Sequence, residues 1–195
     1  MHVMKKKLFA LIAIAIAFTS CDNSPRKHIA EKADSANDAN YDDDLKQDTS
    51  PVDRKSNDFL VNALNDGLAE MQLAKLAKEK AISSNVKDYA DMIMNDHGVL
   101  NDQLKAISSG LHVVLPPPLN EEMQTKLRSL NKHTGKDFDK DLLVLMISNH
   151  KTVIQLFEHA SKEVNNAEVK MLIDNALPQL MKHLDSARAL KKMYK

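Results

Sequence analysis

Three histidines in this 195-residue chain stand where a leucine or isoleucine is expected. His97, in "MIMNDHGVL", falls on the stripe Val86, Ala90, Ile93, His97, Leu100, Leu104, Ile107. His183 falls on Val169, Ile173, Ala176, Leu180, His183, Ala187, Leu190, and His150 lies between Met146 and Val153. Each stripe keeps the alternating four- and three-residue spacing of a helix face turned into a bundle. A carboxylate joins them: Glu70 sits among Ala63, Gly67, Ala74 and Ala77, small residues that leave room beside it. Neutral imidazole is the commonest metal ligand and changes charge near neutral pH. Histidines and a carboxylate aimed into one core therefore make either a metal site or a metal-free hydrogen-bond network, two readings that look alike in sequence. Three imidazoles with one carboxylate suit Zn, Cu or a single Fe. Di-iron chemistry needs about four carboxylates and paired Glu-x-x-His motifs. Here Met94 and Leu180 stand three residues before His97 and His183, which argues against it. Asp96 points about 100° away round the helix from His97 and is suited to an outer-shell role.

Convergence depends on depth, and depth on the helices. The segment from Phe59 to the C-terminus has no Val/Ile/Thr-rich alternating run and little glycine, and its apolar residues recur at helical spacing, so the fold class is all-α. Four long helices are expected: A from Ser56 to Ile82, B from a capping stretch at Ser83–Asn85 to Ser109, C from Asp137 to Val164, D from Asn166 to Met193. Between B and C, "GLHVVLPPPLN" cannot be helical through its prolines, and "EEMQTKLRSLNKH" forms a short amphipathic helix. Pro178 should bend helix D. Residues 71–93 and 154–176 share Gln, Leu, Ala, Val, Lys and Asp without a gap, around the same turn. Two such hairpins joined by a long crossover describe a ferritin-like four-helix bundle. By the rise per residue, Glu70 and His97 lie roughly 20 Å from the A–B turn, and His150 and His183 roughly 25 Å from the C–D turn. The crossover puts those turns at opposite ends, so all four residues fall in the middle layer.

The N-terminus reads as an address. Lys5–Lys7 and an apolar run from Leu8 to Phe18 make a signal peptide over residues 1–20, too short to span a bilayer. "FTSC" resembles a bacterial lipobox, with Phe18 where Leu is usual, and Cys21 is the one cysteine in the chain. Lipid on Cys21 is the expected membrane partner. The domain would then stand in the periplasm or at the surface, anchored to the inner or outer membrane. Residues 21–57 read as a solvated tether. Ten acidic and six basic residues between Asp22 and Asp58 leave it net negative, with too little apolar surface to fold. From residue 59 on, 18 basic and 17 acidic residues nearly balance, which argues against nucleic-acid binding. No Gly-rich phosphate loop or nucleophilic serine motif is present. His112 and His133 lie in loops, and Glu158 and His159 on the surface of helix C.

"VKDYADMIMNDH", "GKDFDKDLLVLMISNHKTVIQLFEHA" and "LPQLMKHL" resemble the bacterial envelope family known as domain of unknown function 4142. The resemblance runs from Phe59 to Leu190, with Glu70, Asp96–His97, Phe138–Asp139, His150, Phe157–Glu158, Pro178 and His183 as its markers. It implies a ferritin-like fold and an exported location, and it brings no established activity, substrate or cofactor. The expected role is non-enzymatic binding or stress protection at the envelope. The alternative is a metal-binding or metal-dependent redox protein, with Glu70, His97, His150 and His183 as ligands.

Overall fold

The apolar stripes close on one another in the computed structural model, which describes residues 54–115 and 121–194. The expected signal peptide, Cys21, the expected tether up to residue 53 and the prolines at 116–118 lie outside the described residues. The helices are α1 (Arg54–Lys80), α2 (Ser84–Gly110), α3 (Glu121–Leu130), α4 (Gly135–Glu163) and α5 (Ala167–Lys191), and there is no strand among the described residues. Helix α1 begins inside the segment read as tether, and Ser56 and Asn57 are already buried there.

Helix α1 packs against α2 and α4, and α5 against α2 and α4. Asp139, near the start of α4, meets the α1–α2 turn and also Tyr194 beyond the end of α5. Helices α1 and α5 therefore run one way, α2 and α4 the other, and a crossover joins the two hairpins. This is a ferritin-like four-helix bundle. The crossover helix α3 lies over the α1–α4 groove, where Lys80 Nζ reaches Asn131 Oδ1 at 2.9 Å and Met123 and Leu130 are buried. None of the described helices is long and apolar enough to cross a membrane.

Local chemistry sets the helix ends. His112, at φ 56°, takes the left-handed position usually given to glycine after α2. That turns His112 N–H onto the Ser109 carbonyl and Val113 N–H onto the Ser108 carbonyl, and it buries Val113. Asn166 caps α5, its Oδ1 accepting from the N–H groups of Glu168 (3.0 Å) and Val169 (3.1 Å). The expected side-chain cap at Ser83 does not form. Asp139 ties down that turn instead, accepting from Ile82 N–H (3.2 Å) and Ser83 N–H (3.0 Å). Helix α5 continues through Pro178, which has no N–H to offer the Asp174 carbonyl.

The core comes in two parts. One contains Phe59, Leu64, Leu100, Leu104, Val153, Phe157 and Leu180, with Phe59 and Phe157 edge to face at 4.9 Å. The other contains Leu73, Ala77, Ile93, Phe138, Leu142, Met146 and Ala187. On every long helix the break between them falls at the level of Glu70, His97, His150 and His183. A polar layer thus divides the hydrophobic interior.

Candidate metal centre

One polar residue from each long helix fills that layer. Glu70 and His150 have no exposed surface, and His97 and His183 are 1% exposed. The three imidazoles form a near-equilateral triangle, with ring centroids 5.6 Å (His97–His150), 5.3 Å (His97–His183) and 5.4 Å (His150–His183) apart. One ligand nitrogen from each histidine lies within 4.8 Å of one from both others. The structure thus brings together the residues whose depths agree in sequence. Glu70, expected among the ligands, is outside that mutually close set and lies beside two of its members.

Each ring has a polar neighbour beside one nitrogen. His183 Nε2 is 2.8 Å from Asp96 Oδ2. His150 Nδ1 is directed at the Met146 carbonyl at 3.0 Å, one turn back on its own helix. Glu70 straddles the pair, Oε1 2.9 Å from His150 Nδ1 and Oε2 3.1 Å from His97 Nε2. These are ion-pair approaches rather than aligned hydrogen bonds: the His150 N–H is aimed at Met146, and neither Glu70 oxygen nor His97 Nε2 has a properly directed partner. The nitrogens left over, His97 Nδ1, His150 Nε2 and His183 Nδ1, are buried without a hydrogen-bond partner.

The electrostatics follow from burial and from one another. Burial pushes the Glu70 carboxyl up, but His150 and His97 beside it outweigh that and bring it below its usual range. Burial lowers His97, and Glu70 only partly offsets it. Burial also lowers His183, to about 4, against the opposing pull of Asp96. His150 is the exception: burial opposes its charged form, but the Glu70 charge beside it and the Met146 carbonyl raise it. The metal-free layer therefore pairs Glu70 with His150 and leaves the other two rings neutral at pH 7.

Two side chains read differently from the sequence than they sit. The space at Gly67 serves Asn101 rather than Glu70: a Cβ at residue 67 would stand 2.2 Å from Asn101 Oδ1. Asn101 is itself buried, one turn from His97, with Nδ2 3.1 Å from Met71 Sδ. His133 does have a partner, Asp141 Oδ2 at 2.7 Å, on the surface. The Met146 carbonyl carried no signal of its own in the sequence, whereas Asp96 was legible from its place at the edge of the α2 stripe.

The family model for a domain of unknown function, DUF4142, matches residues 43–190 and so contains every member of this layer. The chain belongs to that family. Among solved structures, a DUF305 fragment from Deinococcus radiodurans is similar, with a TM-score of 0.68 at 14% identity, over 74% of this chain and 99% of the fragment. At that identity the likeness shows a shared fold alone. No protein of curated function matches. The family itself is defined without an activity, so the layer's own geometry has to carry the functional reading.

Proposed function

We propose that this DUF4142 domain binds one transition-metal ion through His97, His150 and His183. The protein would be held at the bacterial cell envelope by lipid on Cys21. The observation that carries the metal reading is that one ring nitrogen of each histidine lies within 4.8 Å of one from both others, in an interior where every ring has a nitrogen without a hydrogen-bond partner. A buried donor or acceptor without a partner costs about 1–3 kcal/mol. The opposite side of each ring carries the carboxylate or backbone carbonyl that orients metal-bound histidine in other proteins. Charge agrees with this: once His150 gives up its proton to bind, three neutral imidazoles beside Glu70 and Asp96 leave two negative charges, which a divalent cation neutralises. Glu70 then serves as the anionic partner of His97 and His150 rather than as one of the three nitrogen donors.

Binding fits the burial better than turnover does, because no member of the trio is more than 1% exposed to a substrate. Zn, Cu and Fe all accept imidazoles, and elemental analysis of protein purified from its native host chooses among them. Added metal should raise the thermal midpoint of the wild type by mass action and leave His97→Ala, His150→Ala and His183→Ala unmoved. A wild type that carries no metal and gains nothing from Zn, Cu or Fe would reduce the layer to a structural network. The envelope part has a separate test. Cys21→Ser should abolish acyl labelling and release the protein from membranes, and unchanged labelling would overturn the anchor.

A further inference from the structure

We infer that a divalent ion reaches the histidines through the α2–α5 face, at Asp96, whose carboxylate captures it from solvent. The inference rests on the metal reading and adds the route. The site has two unlike sides. On the α1–α4 side, where Glu70 and His150 sit, α3 lies across the groove over a cavity of about 140 Å³ whose lining includes Asp66, Glu122, Lys126 and Asn149. On the α2–α5 side stands Asp96. Glu70 and the three histidines are at most 1% exposed, but the Asp96 side chain is 26% exposed. It is the member of the layer that meets both water and the interior, because its Oδ2 is 2.8 Å from His183 Nε2. Val99, one turn along α2 from Asp96, is 62% exposed.

A carboxylate at a half-open position beside a low-dielectric interior raises the local cation concentration and the rate of capture. On the α1–α4 side the carboxylates before Glu70 are Asp66 and Glu122, which stand under α3, and Glu122 is already paired with Lys126.

The test is stopped-flow mixing of Co2+ with the full chain, followed by the visible absorption of imidazole-bound Co2+, at several ionic strengths. The expected wild-type capture rate falls as salt rises. Asp96→Asn can still accept from His183, and it should capture about tenfold more slowly at low salt, with little salt dependence left. Asp96→Glu should restore both the rate and its salt dependence, and Asp102→Asn, elsewhere on α2, should change neither. An Asp96→Asn capture rate equal to wild type, or a change confined to dissociation, would overturn the route and leave Asp96 as a residue that merely positions His183. A wild type that takes up no Co2+ would overturn the metal reading, and the route with it.

Discussion

Asp139 and Glu70 are both fully buried carboxylates in the same bundle, and the protein treats them in opposite ways. Asp139 accepts from Ile82 N–H, Ser83 N–H and the Tyr194 hydroxyl (2.9 Å), three donors from the far ends of the chain's helices. Glu70 accepts no aligned hydrogen bond among the described residues and is surrounded by imidazoles instead. A buried charge with its donors in place is a clasp that holds α4, the α1–α2 turn and the C-terminal end together. One left without aligned donors forgoes stability where it stands, and the same forgone hydrogen bonds recur on His97, His150 and His183 around it. The difference locates function: the satisfied carboxylate builds the frame, and the unsatisfied one belongs to what the frame holds.

The comparison breaks first at Asp139. Asp139→Ala would orphan two backbone amides and a phenol, which at 1–3 kcal/mol each should cost about 4 kcal/mol, or roughly 10 °C or more in thermal midpoint. Tyr194→Phe removes one of the three bonds and should cost about 1 kcal/mol. In both variants the fraction that stays folded should bind metal as wild type does. A melting curve for Asp139→Ala within a degree or two of wild type would show that the clasp is solvated and the contrast with Glu70 false.

Acidity should separate the two regions next. Burial holds His183 down to about 4 in the folded chain, against 6.5 as the ordinary value. Between those values the unfolded chain binds the extra proton, so the metal-free domain should lose stability as pH falls from about 6.5 to 4. A shift of that size corresponds to roughly 3 kcal/mol. His97 is lowered too and acts in the same direction. His150 is raised, and its contribution has the opposite sign: present at low pH and lost as pH rises. Urea midpoints taken at steps across this range check the sum. His183→Gln should flatten the slope, and Tyr194→Phe should leave it alone.

Glu70→Gln sharpens the contrast with a smaller effect. Losing the charge paired with buried His150 should cost less metal-free stability than the roughly 3–5 kcal/mol of a broken buried ion pair, because His150 can give up its proton and the amide still offers an oxygen. Losing the anionic partner of two rings proposed as metal ligands should weaken metal affinity about tenfold or more. Titration of the variant with Zn2+ reads the second number and thermal melts the first. If the variant melts far below wild type and binds metal equally well, Glu70 is a clasp like Asp139.

The sequence exposed these two carboxylates unequally, for a physical reason. Glu70 was legible because its neighbours repeat at helical spacing, and because depth along a helix is arithmetic once the turn is known. The same arithmetic put His97, His150 and His183 in one middle layer, where the structure sets their rings 5.3–5.6 Å apart. The crossover followed from proline placement and from the two similar hairpins. Asp139 stood out only as a marker of the family resemblance, and its role was not legible, since an aspartate near a helix start reads as a complement to the helix dipole. Its partners are amides 57 and 56 residues away and a hydroxyl 55 residues away, and no periodicity connects them. Ser83 misled for the same reason: a serine before a helix is a good local cap, and here a distant carboxylate anchors that turn instead. The pairing of Asp96 with His183 rather than with its neighbour His97 also required the packing of α2 against α5.

Gly67 carries the smallest and most local test. Helix propensity alone favours Gly67→Ala by about 1 kcal/mol. The new Cβ would stand 2.2 Å from Asn101 Oδ1 and 3.1 Å from Asn101 Cγ, and the 1% exposed Asn101 has little room to swing away. Overpacking of this kind costs about 1–3 kcal/mol, so the net result should be a loss near 1 kcal/mol despite the better propensity. Asn101→Ala clears the space and removes a buried oxygen that has no partner. In the double variant Gly67→Ala with Asn101→Ala, the alanine at 67 should therefore become stabilising, a coupling that a double-mutant cycle reads directly. Because Asn101 lies one turn from His97, the single variant should also loosen metal binding slightly, and the double variant should recover it. Additive stabilities would mean that the gap at Gly67 is not reserved for Asn101. The small-residue face of α1 would then serve Glu70 after all, as the spacing in the sequence first suggests.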